Sequence, residues 1–209
     1  ALTGLANIYK HKGDIELSME YHKQSLKIRK EVGDRRGIAS STGNIAGIYS
    51  HNEEHDLALK YYFQSVDGFK KIGRKNDLSI TFGSIGNAYH KQGKIDSALY
   101  YYTQSLEIRE IIGDKFGVAW CFTSLGIIYY DKGDYNIAAK YLERSLAIKK
   151  EIGTIDNIVI TATYLNLSYK HLGKDYAINE IHSLIKETEK IEYGLNLRLY
   201  ELLEDPSYL

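Results

Sequence analysis

Apolar residues recur along this chain at helical spacing and are interrupted at regular intervals by short polar breaks. Leu2, Leu5, Ala6, Ile8 and Tyr9 form one stripe, and Leu17, Tyr21, Leu26 and Ile28 form the next. Gly13-Asp14 separates them and Gly33-Asp34 closes the second. A glycine supplies the left-handed residue that ends one helix, and an aspartate caps the following one. The pattern then returns with a period of 40 residues: Tyr9, Tyr49, Tyr89, Tyr129 and Tyr169 share one register, as do Gly33, Gly73, Gly113 and Gly153, and Ser25, Ser65, Ser105 and Ser145. Self-similarity at a fixed period in this range is the mark of a stacked repeat array. The spacing predicts an all-α chain, one domain over residues 1–209, with helix pairs at about 1–33, 34–73, 74–113, 114–153 and 154–193. Leu195, Leu197, Leu199, Tyr200, Leu202 and Leu203 predict a capping helix at about 195–204.

Small residues mark where paired helices approach. Ala58, Ala98 and Ala138 fall on second helices, and Ala6, Ala46, Gly86 and Gly126 on first helices. Tyrosines and leucines fill the space around them, so most of the 19 tyrosines are assigned to structure. The inner turn of the second unit, Asn52-Glu53-Glu54-His55, has no glycine and is expected to be the least regular. The fifth unit keeps Leu165, Tyr169 and Gly173 and then departs, with Ile181 and Ile185 in place of Tyr and Ser.

Charge narrows the function. Lys+Arg and Asp+Glu are both 27, which argues against a nucleic-acid partner. No apolar run approaches the roughly 18 residues of a membrane span. Cys121 is the single cysteine, which fits a reducing, cytoplasmic setting. The chain opens without Met and in mid-stripe, so a piece of a longer protein is expected, and its Lys-, Ile-, Tyr- and Asn-rich texture leans toward a bacterial one. Enzyme chemistry finds no footing. His51-Asn52-Glu53-Glu54-His55 has a metal-protease spelling, but the repeat register puts a turn inside it. Cys121 has no placed catalytic partners, and no glycine run forms a phosphate loop. No cofactor and no metal are expected.

Residues Leu125-Gly126, Tyr129, Gly133, Ala138, Leu142 and Ser145 resemble the tetratricopeptide repeat (TPR), with Phe122 at its first place. Two features depart from that pattern: the period is 40 rather than about 34, and no proline closes the second helix. The long variant is similar to repeats of LGN/Pins-type adaptors, of segments in bacterial sensor kinases, cyclases and transcription regulators, and of Rap-type peptide-sensing regulators. The resemblance implies a right-handed α-solenoid of five helix-turn-helix repeats with a capping helix. It also implies a concave groove lined by first helices, where Asn7, Lys10, His11, Asn44, Gly47, His51, Asn87, His90, Lys91, Trp120, Ile127 and Tyr130 would face a ligand. Thr3, Ser40, Gly43, Ile80, Gly83 and Ser84 fall on the same face.

A carboxamide both donates and accepts, so Asn7, Asn44 and Asn87 suit a peptide backbone. Gly43, Gly47 and Gly83 would let that backbone come close. The groove runs from polar and basic (Lys10, His11, His51, His90, Lys91) to apolar (Trp120, Ile127, Tyr130). The expected partner is a peptide or protein with an acidic part and an apolar or aromatic anchor. The clamp some relatives use for C-terminal carboxylates is not expected, because Thr3, Ile80 and Ser84 stand where its cations would be. The leading expectation is a non-enzymatic interaction scaffold within a signalling or regulatory protein. The alternative is a spacer or self-association segment, dimerising through the faces of residues 1–12 and 195–209, with Leu195, Leu199 and Leu203 in the contact.

Overall fold

Each break in the apolar pattern becomes a helix boundary. The structure is a computed structural model that describes residues 2–154 and 158–175, together with 184, 199, 202 and 203. The helices run α1 (Leu2–His11), α2 (Ile15–Glu31), α3 (Arg35–His51), α4 (His55–Lys71), α5 (Lys75–Lys91), α6 (Ile95–Ile112), α7 (Lys115–Asp131), α8 (Tyr135–Glu151) and α9 (Ile158–His171). They alternate as helix-turn-helix pairs, with no strand among the described residues. The second helix expected for the fifth unit and the capping helix at 195–204 lie outside the described residues, except for Leu184, Leu199, Leu202 and Leu203, which are helical. No described helix is long and apolar enough to cross a membrane.

The aspartates act as the sequence suggests. Asp14, Asp34 and Asp114 accept hydrogen bonds from the amides of Leu17, Gly37 and Gly117 at 3.1, 2.9 and 2.9 Å. The inner turn of the second unit corrects the expectation of irregularity. Glu53 takes the left-handed conformation (φ 62°) that Gly93 and Gly133 take in the other units (φ 70° and 81°). The geometry is kept and the strain falls on a side chain. Glu53→Gly is therefore expected to raise stability by about 1 kcal/mol, read as a higher urea midpoint; an unchanged or lower midpoint would show that the turn carries no strain.

Close packing divides the chain into two compact units, residues 1–108 and 109–209. In the first, α1 packs on α2, α2 on α3, α3 on α4, and α4 on α5. Its core gathers Ala46, Ala58, Tyr62, Val66, Phe82 and Ile85. In the second, α7 packs on α8 and α8 on α9 around Ala138, Leu142, Ile158, Val159, Leu165 and Leu167. Leu199, placed from sequence on a dimer face, is fully buried in this cluster.

The recurring residues have recurring jobs. Tyr9, Tyr49, Tyr89 and Tyr129 stack on Tyr21, Tyr61, Tyr101 and Tyr141, with ring centroids 5.3–5.6 Å apart. Buried Ser65, Ser105 and Ser145 donate to the carbonyls of Ala39, Ser79 and Ala119 at 2.9, 2.8 and 2.7 Å, tying the two helices of each pair together. The serine hydroxyls are thereby satisfied in a tightly packed setting, where an unpaired hydroxyl would be costly.

A further register carries a cation. Arg29, Arg109 and Lys149 occupy equivalent places on α2, α6 and α8. Arg29 donates to the Gly37 carbonyl and the Ser41 hydroxyl, both at 2.8 Å, Arg109 pairs with Asp114 at 2.7 Å, and Lys149 donates to Thr161 at 2.7 Å. The guanidinium fills the space where the next helix would carry a side chain. A Cβ on Gly37 would lie 2.6 Å from Arg29 Cδ, and one on Gly117 would collide with the Arg109 guanidinium. The fourth member of the register is Phe69, and there the facing residue is Asp77, held by Arg74 at 2.7 Å.

Candidate functional site

The exception at Phe69 has a neighbour. A concave pocket of about 310 Å³ opens in the first unit, lined from α1 by Asn7 and Lys10, from α2 by His22, and from α3 by Ser40, Gly43, Asn44 and Gly47. Helix α4 adds Tyr62, Ser65 and Phe69, and α5 adds Asp77, Ile80, Thr81 and Ser84. Departures from the repeat help to shape it. Gly47 stands where other units carry Asn7, Asn87, Ile127 and Leu167, and His22 stands where they carry Tyr62, Tyr102 and Leu142. The missing side chain at 47 leaves room: a Cβ there would meet only the Tyr62 hydroxyl, at 3.8 Å.

The polar groups of this pocket are unequally engaged. Asp77 accepts from Arg74 Nε at 2.7 Å, and Ser84 donates to the Ile80 carbonyl at 3.2 Å. Burial holds the Tyr62 phenol above its usual range, against hydrogen bonding with Ser84 and Ser50 that acts the other way. Asn7, Lys10 and Asn44 have no hydrogen-bond or ionic partner among the described residues. His22 is only 1 % exposed, yet its Nδ1 has no partner. Burial, then the charges of Lys10 and Arg29, lower its pKa below 6.5.

Four residues expected in the groove, Asn7, Lys10, Asn44 and Gly47, are thus brought together here, with Ser40, Gly43, Ile80 and Ser84 from the same face. Others lie elsewhere. His11, His51, His90 and Lys91 sit in the last turns of their helices, outside the pocket lining. His51 ends α3 and His55 begins α4, so the metal-protease spelling is split between two helices. Asn87 is exposed, and its Oδ1 accepts from the Tyr102 hydroxyl at 2.5 Å, which removes its acceptor from the exposed face.

Trp120, Ile127 and Tyr130 belong to the second unit on α7. Trp120 is half-buried with the Arg109 guanidinium 5.7 Å from its ring, and Ile127 is half-buried. Tyr130 is buried, packs edge-on to Tyr164 and bonds His171 Nε2 at 3.2 Å.

His22, Tyr62, Phe69, Asp77 and Thr81 are pocket residues that sequence reasoning missed. A register signal existed for two of them, since His22 breaks a Tyr/Leu column and Phe69 a column of cations.

This architecture has a name in comparison with known proteins. The tetratricopeptide-repeat model matches residues 1–71, 37–111 and 77–151. The chain belongs to the tetratricopeptide-repeat family. No curated protein matches it. Among solved structures it is similar to BtubC (BKLC) from P. vanneervenii, at 19% identity and TM-score 0.76 over 93% of this chain and 80% of that one. It is also similar to the quorum sensor NprR from B. thuringiensis in its apo form, at 24% identity and TM-score 0.73 over 97% of this chain and 56% of that one. A Rap protein complexed with Competence and Sporulation Factor gives 18% identity and TM-score 0.72 over 99% of this chain and 55% of that one. These likenesses define the fold. The chain spans little more than half the length of the last two.

Proposed function

We propose that this chain is an interaction module that binds an extended peptide, or such a segment of a partner protein, in the pocket between α1, α3 and α5. The observation that carries this reading is the set of unengaged side chains around a glycine-walled space. Asn7 and Asn44 each offer a donor and an acceptor for a peptide backbone, and Gly47 admits it closely. A preformed helical scaffold lowers the ordering cost of binding. The likeness to the Rap protein complexed with a factor and to the quorum sensor NprR supports the same direction. Under this reading the chain works by binding rather than by catalysis, as one scaffold within a signalling or regulatory protein.

The test is to select peptides from a random displayed library on the wild-type chain and measure their affinity for Gly47→Leu. Leucine occupies the equivalent place at Leu167, so the helix accepts it, and relative to glycine it favours helix by roughly 0.5–1 kcal/mol. Circular dichroism should show a helix content no lower than wild type, while affinity falls at least about tenfold, or about 1.4 kcal/mol. Peptides that hold equally to both proteins, or a library that yields none, would rule the pocket out.

A further inference from the structure

The pocket holds an oddity that peptide-backbone recognition does not use. A buried imidazole is normally hydrogen-bonded, and leaving such a group unpaired is unfavourable. His22 is unpaired at Nδ1, replaces the larger residues of its column, and lies beside Lys10, whose ammonium has no carboxylate partner among the described residues. Resting on the peptide-binding reading above, we infer that this corner of the pocket captures a ligand carboxylate between Lys10 and His22, and that capture draws a fraction of a proton from solvent onto His22.

The charges facing the imidazole explain the coupling. Lys10 approaches from α1 and Arg29 from its own helix, and both oppose a second positive charge. Helix α3 contributes only uncharged groups, Ser40 and Asn44, and α4 contributes Tyr62, kept neutral by burial. From α5, Asp77 lies in the pocket lining but is engaged by Arg74. Near neutral pH the empty pocket therefore holds a neutral His22. A bound carboxylate reverses the local field: it pairs with Lys10 and favours imidazolium through a charge-assisted bond. By linkage, an acidic ligand binds more tightly as pH falls through the His22 titration in the complex. Burial keeps bulk water from weakening the contact. An acidic residue of the ligand would then anchor at the α1–α2 end, with Phe69 and Ile80 bordering the same pocket for an apolar neighbour.

The experiment follows the His22 ring by NMR in the whole chain, assigned with His22→Gln, and uses N-acetylglutamate α-amide, which carries one carboxylate, as probe and N-acetylglutamine α-amide as neutral control. Saturating N-acetylglutamate α-amide should move the His22 midpoint up by about one pH unit, equivalent to about tenfold tighter binding by the protonated protein. Lys10→Met should abolish that movement while the helix content stays unchanged. An unmoved midpoint, or equal movement with N-acetylglutamine α-amide, overturns the inference. The two readings fail separately. Selected peptides that bind without pH dependence would leave the peptide site standing and remove the carboxylate site. A shifted midpoint with no selectable peptide would do the reverse.

Discussion

Gly86→Ala is expected to lower stability by about 1–3 kcal/mol, the usual cost of overpacking a close helix contact. A Cβ on Gly86 would stand 2.8 and 2.9 Å from Cδ1 and Cε1 of Tyr102, a ring that is itself fully buried and cannot move outward. The preceding repeat shows how the same aromatic is accommodated differently. Tyr62 faces Ala46 and Gly47, whereas Tyr102 faces Gly86 and Asn87. In the earlier repeat a Cβ at Gly47 would meet Tyr62 only at its hydroxyl, 3.8 Å away, so that ring leaves room where Tyr102 leaves none. A urea midpoint for Gly86→Ala equal to that of wild type would refute the account.

Leu142→Ala should cost more, about 2–5 kcal/mol, because it removes buried methyl groups and leaves a cavity. Leu142 has no exposed surface and packs in the cluster of Ala138, Ile158, Val159 and Leu199. It also fills the hollow over Gly126, where a Cβ would approach Leu142 Cγ to 2.5 Å. No side chain on that stretch of α7 can close the gap. Leu142→Met, which roughly conserves volume, should cost under about 1.5 kcal/mol. If the two variants unfold at the same urea concentration, the packing of the second unit does not depend on this contact.

The helix pairs were legible because each boundary but the turn at 52–55 is marked twice, by an apolar register and by a glycine. Tyr89 and Tyr101, or Ser105 and Ser79, find each other wherever the period is kept. Glu53 was misjudged because a turn's conformation is set by the helices that it joins, and a side chain can be forced into it at a cost. The first-helix residues Asn7, Lys10, Asn44 and Gly47 could be placed on one face from sequence because the tetratricopeptide resemblance assigns first helices to the groove. His22 and Phe69 could not, since they come from second helices. Their meaning appears only when each column of the repeat is compared and the exceptions prove to border the same space. Asn87 shows the converse limit. It occupies the same column as Asn7, but one neighbouring hydroxyl turns its acceptor to structural use.

The cation column has a consequence for how such a chain can change length. Arg29 in its present place is fitted to a glycine eight residues on, and so is Arg109, whereas Phe69 is followed at that spacing by Asp77. Excising residues 37–76, a single period, would join Arg36 to Asp77 and bring a carboxylate side chain onto the stem of Arg29. Excising two periods, residues 37–116, would instead bring Gly117 to that place and leave the fit intact. Unequal recombination in this gene would thus meet a barrier where a breakpoint falls between a cation and the glycine facing it without supplying another, so that Arg29 and Gly37 are best gained or lost together.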